Sequence, residues 1–400
     1  MEAQPPASVD TAEILESADA DAAMDATSTA ESGALSEAAP AAASGPAPRR
    51  SHTWPAALTL YLFAAVVPEL MSGSTPPLRF LQPFNLIFLP LVYGSSLLLI
   101  REVAVRLRLG WINILLLGAA FGVFEEGLVV QTWYCYVAPS CASHTATLYS
   151  VANGIDWSAA IALTIFHSVI SVATPLTLVS GFFPRSAALP WLGYRGALFL
   201  GIWLLLPTAE MAWNVATRIL ATEGYHGPPE PQYAYTALAV VVCVALGLLL
   251  RLPAWLSSWL ERVRPFKPSM RPAPRVLRVF LTSAGLTLLY FITILPLVAT
   301  LLPAAISLGL TIAVALFSFG LVWAWSRRAG WSAAHHYALA LGIVAYFAFV
   351  MAPVQEFIFR VPLSQSLTGV NWLIFAALAL VQLRLLRRAQ RQRSMALAQP

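Results

Sequence analysis

Charge is scarce in this chain. Asp, Glu, Lys and Arg make up 11% of its 400 residues, against about 25% in a soluble domain. With 58% hydrophobic residues and a mean hydropathy of +0.70, a soluble globular protein is excluded and an integral membrane protein is indicated. Lysine is nearly absent, with Lys267 alone among 24 basic residues; this Arg- and Ala-rich usage suggests a bacterial, GC-rich origin. Cysteine is limited to Cys135, Cys141 and Cys243, too few for a metal-finger spacing. Cys135 and Cys141 share one polar loop and could pair if it faces an oxidising compartment.

What charge there is lies unevenly. Residues 1–50 hold nine of the 19 acidic residues, with Arg49 and Arg50 as their only bases. This Ala/Ser-rich tail has too few branched or aromatic residues to bury a core, so it is expected to be disordered and cytoplasmic. It has neither the basic start and apolar run of a signal peptide nor the arginines of a transit peptide. The remainder carries 22 Lys and Arg against 10 Asp and Glu. These bases sit at the ends of apolar runs, so they form no surface for nucleic acid.

Apolar runs of membrane-crossing length fall near 54–71, 80–100, 111–134, 157–182, 195–216, 234–252, 277–301, 304–326, 336–353 and 369–387. The expected fold is therefore all-α: a polytopic helix bundle of about ten transmembrane helices. With the N-terminus inside, 21 bases fall on cytoplasmic segments, and only Arg79, Arg218 and Arg360 fall outside. The positive-inside rule thus places both termini in the cytoplasm. The chain divides into the tail (1–50), six spans (51–250), a basic cytoplasmic loop (251–276), four spans (277–388) and a basic tail (389–400). The start of the basic loop could lie along the membrane surface as an amphipathic helix. The five-plus-five split suggests inverted repeats, but the halves share no motif. A bacterial plasma membrane is the expected location, with the lipid bilayer as the obligatory partner.

The third run contains FGVFEEGLVV, with Glu125 and Glu126 side by side and no other charge in the span. A carboxylate at the centre of a membrane helix costs roughly 2.5–3.5 kcal/mol. At ~1.5 Å per residue, Glu69, Glu125 and Glu210 lie roughly 20 Å up from the cytoplasmic side, and His167 comes to a similar height from the other end. Matched depth makes mutual contact the cheapest arrangement. Gly118 and Gly122 share a helix face with the glutamates, which lets another helix come close. Thr164, His167, Ser171 and Thr174 form a polar stripe on span four, and Pro207, Glu210, Asn214 and Thr217 form one on span five. Glu69, near a span end, is expected to be solvated. Arg101–Glu102 reads as a surface pair and Glu356–Arg360 as an i,i+4 ion pair. Trp54, Trp111, Tyr134 and Trp157 read as interface anchors.

Two adjacent carboxylates away from water cannot both ionise cheaply, which leaves an acid and a base in one place, as water activation requires. His167 and Asn214 could orient that water or stabilise an oxyanion. The order Glu125-Glu126, then His167, then Glu210-xxx-Asn214 on successive helices resembles the CPBP family of CAAX-processing and bacteriocin-immunity-type intramembrane glutamate proteases. That family's pattern is EExxxR, FxxxH and HxxxN or HxxxD. The resemblance implies a metal-independent hydrolase without cofactor, acting on a membrane-embedded peptide. Glu125 or Glu126 would activate water with His167, and Glu210 and Asn214 would line the oxyanion site. Over residues 111–216, which carry the match, Val129 and Val130 stand where the Arg belongs, Leu163 replaces the Phe, and Glu210 replaces a His. The same buried acids would equally suit a small cation or proton in a secondary transporter. A third reading takes them as hydrogen-bonded glue in a non-catalytic scaffold.

Overall fold

The structure, a computed structural model, describes residues 53–134, 151–152, 154–215, 217, 230–250, 272–294, 302–359 and 366–397. Among the described residues ten helices are long and apolar enough to cross a membrane. They are α1 (Trp54–Met71), α2 (Pro83–Arg106), α3 (Trp111–Val129), α4 (Trp157–Phe182), α5 (Tyr194–Asn214), α6 (Gln232–Leu249), α7 (Val276–Ile294), α8 (Ala305–Ser326), α9 (Ala333–Phe357) and α10 (Leu367–Arg388). The protein is an all-α, multi-pass membrane protein. Before α4, β1 (Val151–Ala152) and β2 (Ile155–Asp156) form a short antiparallel ladder. Asp156 then caps α4, accepting from the amides of Ser158 and Ala159, as an acidic N-cap should.

The bundle is centred on α2, α4 and α9, while α5, α6 and α8 expose most of their length. One apolar core joins α1, α2 and α4 through Leu60, Leu97, Val172 and Val179. A second joins α4, α7, α9 and α10 through Leu178, Phe291, Phe347 and Leu378. Close approach comes from glycine: a Cβ on Gly118 would stand 2.9 Å from Ser168 Cα, and one on Gly122 would stand 2.8 Å from His167 Cβ. The close-packing face expected on span three is present, and it places α3 directly against α4.

Polar contacts mark the two ends of the first six helices. At one end Thr53 donates to the Trp191 carbonyl, Arg106 to that of Leu192, and Asn113 to those of Gly247 and Leu250. At the other, Tyr233 donates to the Leu128 carbonyl and the Asp156 amide to that of Trp133. The starts of α1 and α3 therefore meet the ends of α2, α4 and α6, as alternating spans require.

Several expectations need correcting. The second span runs on to Arg106, so Arg101 and Glu102 are not a surface pair: they are 5% and 2% exposed and ion-paired at 3.1 Å. Tyr134 is no interface anchor, since it is buried beside Trp133 with its hydroxyl against Thr236. Glu356 accepts from the Thr368 amide at 2.7 Å, while Arg360 lies outside the described residues. So do the acidic tail, Cys135, Cys141, Arg218, and most of the basic loop.

Candidate acid–imidazole site

Four helices bring polar groups to one place, and each has a π-helical turn there. The turns are Val66–Met71 in α1, Pro90–Gly94 in α2, Val123–Val129 in α3 and His167–Ala173 in α4. A π turn inserts one extra residue, turning a side chain off its regular helical bearing, and such turns are frequent at functional sites. Pro68 and Pro90 lie within the first two and lack the amide that the α ladder would use.

At the centre His167 Nε2 stands 2.9 Å from Glu126 Oε1 and 3.2 Å from Glu125 Oε2. The two contacts differ. Glu126 makes a hydrogen bond with the ring nitrogen, whereas Glu125 Oε2 is within ion-pair distance but has no hydrogen-bond partner. One N–H cannot serve two carboxylates well, so Glu125 Oε2 is left near the ring without a hydrogen bond. His167 is 2% exposed and ringed by Tyr93, Phe121 and Phe166, which fix the imidazole plane.

Two residues join the cluster that sequence reasoning left aside. Tyr93 donates to Glu69 Oε1 at 2.6 Å, and its hydroxyl lies 3.4 Å from Glu125 Oε1. Glu69, expected to be solvated, instead also accepts from the Thr75 hydroxyl at 2.6 Å. On the other side the Thr132 hydroxyl donates to Glu126 Oε2. The result is a chain of polar contacts: Thr75, Glu69, Tyr93, Glu125, His167, Glu126, Thr132. A signal for Tyr93 existed. It lies about ten residues into its span, at the depth calculated for the acids, between Pro90 and Gly94.

The fifth span contributes less than expected. α5 runs through Pro207 and exposes Glu210, and Asn214 is half-buried without a hydrogen bond to the cluster. A hydrogen bond to α5 comes from just past the glutamate turn, where the Gln131 side-chain amide reaches the Ala212 carbonyl at 3.4 Å. Gln131 is buried and takes a left-handed backbone at φ +59°, a strained conformation for this residue. It stands just past Val129 and Val130, where the family pattern would place an Arg.

Chemically the trio offers an acid, a base and an imidazole away from bulk water. The same groups could hold a divalent metal, since ligand atoms from Glu125, Glu126 and His167 all lie within 4.8 Å of one another, and carboxylate and imidazole are zinc ligands. A ligating imidazole usually donates its second N–H to a carboxylate or carbonyl, and His167 Nδ1 has no such partner. The donor set therefore fits a metal only in part.

These features define a multi-pass membrane protein with a buried carboxylate–imidazole cluster. The chain belongs to a family described as an uncharacterized membrane protein family, whose model matches residues 58–389. No curated protein and no solved structure matches it. Nothing in these comparisons supports the resemblance to the glutamate proteases.

Proposed function

We propose that Glu125, Glu126 and His167 are the acid–base centre of a hydrolase that cleaves a peptide bond of a membrane-embedded substrate, in the manner of the CPBP glutamate proteases. The observation that carries the reading is one imidazole nitrogen held within 3.2 Å of two adjacent carboxylates. In this reading one proton is held between the two carboxylates, which supplies a base for the water and an acid for the leaving group. One glutamate takes a proton from water as the hydroxide oxygen bonds to the carbonyl carbon. The C–N bond then breaks as the amine receives a proton from the cluster. Glu210 is exposed and Asn214 makes no hydrogen bond to the trio, so we assign the oxyanion role to the Thr132 hydroxyl, exposed beside Glu126. A bacterial plasma membrane, supported by the Arg-rich, Lys-poor composition, is the proposed location.

Access to the cluster from one end suits a hydrolase. The hydroxyl partners at both ends of the chain, Thr75 and Thr132, follow the ends of α1 and α3, which lie on the same side of the bundle. In the other direction the cluster abuts apolar side chains such as Phe121 and Val172. One entrance suffices for a hydrolase. The observation favouring a proton or cation transporter is that Glu69 and Tyr93 lengthen the polar chain, as in membrane proton pathways.

The test compares peptide N-termini in membranes carrying wild type or Glu125→Gln/Glu126→Gln at equal abundance. Ends found only with wild type, mapping near membrane segments of other proteins, are expected; identical profiles would sink the hydrolase. Proteoliposomes in which wild type, but not the variant, dissipates a proton or sodium gradient would establish transport instead.

A further inference from the structure

The contacts around the trio continue beyond it in one direction. We propose that Tyr93 and Glu69 form a proton relay linking Glu125 to the turn at 72–75, so that the cluster exchanges protons with the membrane end at which α1 stops. The proposal rests on the acid–base reading above, in that Glu125 must carry a proton, but it does not require any bond to be cleaved.

The relay has three fixed steps. The Tyr93 hydroxyl lies 3.4 Å from Glu125 Oε1 and 2.6 Å from Glu69 Oε1, and the Thr75 hydroxyl lies 2.6 Å from Glu69 Oε2. Thr75 sits beside Ser74, which is exposed and whose hydroxyl is 3.0 Å from that of Ser72. The chain therefore begins among buried groups and ends at a hydroxyl-rich turn in contact with solvent. Tyr93 is 2% exposed, so its hydroxyl meets the two carboxylates out of contact with bulk solvent. A phenol both accepts and donates, which a relay needs. A protonated Glu125 gives its proton to the Tyr93 oxygen while the Tyr93 proton moves to the Glu69 carboxylate. The net result is Glu125 ionised, Glu69 protonated and Tyr93 unchanged. Glu69 then releases the proton toward Thr75 and the turn.

Plain structural glue would explain the two 2.6 Å bonds on Glu69. It does not explain why the Tyr93 hydroxyl also lies against a second carboxylate. The charged and titratable groups facing this path are Glu69 on α1, Tyr93 on α2, Glu125 and Glu126 on α3, and His167 on α4. α10, packed on the π turn of α1, contributes the neutral Asn371, which donates to the Met71 carbonyl at 2.9 Å. α6 contributes Tyr233, bonded to the Leu128 carbonyl. Arg79, on the short helix Pro77–Phe80, is exposed.

Time-resolved infrared spectroscopy of the full chain in nanodiscs tests this. The Glu125 carboxyl band is assigned as the one lost in Glu125→Gln, and its growth is followed after a downward pH jump. Tyr93→Phe is expected to slow that growth at least tenfold while leaving its final amplitude and the thermal unfolding midpoint near wild type. Glu69→Gln, which keeps the amide in the same space, is expected to slow it comparably. A tyrosine away from the path, Tyr337→Phe, should leave the rate unchanged. Wild-type rates in both Tyr93→Phe and Glu69→Gln would overturn the relay; should either variant not fold, the other decides. No substrate is involved, so the relay can stand if the hydrolase reading fails. Unchanged rates with wild-type-only peptide ends would remove the relay alone.

Discussion

Glu102 shows how a single buried carboxylate earns its place in this protein without chemistry. Its oxygens meet Arg101 at 3.1 Å and Arg106 at 3.3 Å, and it accepts from the Trp191 amide. Arg101 in turn donates to the carbonyls of Ser186, Ala187 and Leu189 and lies 3.3 Å above the Trp191 ring. The group ties the end of α2 to the segment after α4. Removing one partner of a buried pair leaves the other charge uncompensated, a loss of about 3–5 kcal/mol. Glu102→Ala should therefore lower the unfolding midpoint in detergent sharply, whereas Glu210→Gln, on the exposed side of α5, should leave it unchanged. A large shift for Glu210→Gln would mean that this helix face is covered. The sequence announced the acids but not their partners: Glu102 is adjacent to Arg101 in the chain, yet its burial depends on Trp191, 89 residues away. Glu69 was misjudged for the same reason. Its partners Thr75 and Tyr93 become neighbours only through the turn after α1 and the packing of α2.

At the scale of elements the spans were legible and their interiors were not. Length and hydropathy locate ten helices because the bilayer sets one thickness for all, and the glycine spacing before the glutamates marked a close-packing face, whose partner the structure shows to be α4. No periodicity argument reveals a π turn, which depends on one extra residue per turn and on packing that tolerates it. A fifth such turn, Phe347–Met351 in α9, carries no titratable group; it packs in the core shared with α4 and α10. The polar stripe assigned to span five shows the opposite error. Its residues share a face, but α5 exposes most of its length and Glu210 is exposed with it. Depth matching gives height in the membrane, not rotation about the helix axis. The α3–α4 contact is where the geometry can be perturbed without replacing a titratable residue. Gly122→Ala puts a methyl 2.8 Å from His167 Cβ, and overpacking of this kind costs about 1–3 kcal/mol. If relief separates the helices by about 1 Å at the trio, cleavage should fall roughly a hundredfold. Gly201→Ala on α5, whose methyl meets nothing within 4 Å, is the control and should leave activity and midpoint near wild type. Equal activity in both variants would show that the separation of α3 and α4 does not govern the site.

For the whole molecule the decisive property is the division between two ends. One end gathers the Arg101, Glu102 and Arg106 cluster and the segment at 183–192. The other gathers the turns after α1 and α3 that adjoin the trio. Both were implicit in the spacing of spans, since alternate crossings must bring every second helix end together. Which end faces the cytoplasm rests on the distribution of arginines, because membrane proteins retain Lys and Arg on that side. On that basis the cluster is predicted to open away from the cytoplasm, with Ser74 and Ala188, both exposed, on opposite sides. With Cys135, Cys141 and Cys243 changed to Ser, single cysteines at these positions can be labelled in intact cells with a membrane-impermeant maleimide. Ser74→Cys should react and Ala188→Cys should not until the membrane is permeabilised. Labelling of both in intact cells would break the alternation of the first four spans. The reverse pattern would keep the fold but turn the site toward the cytoplasm, so that a hydrolase there would draw its water and its relayed protons from inside the cell.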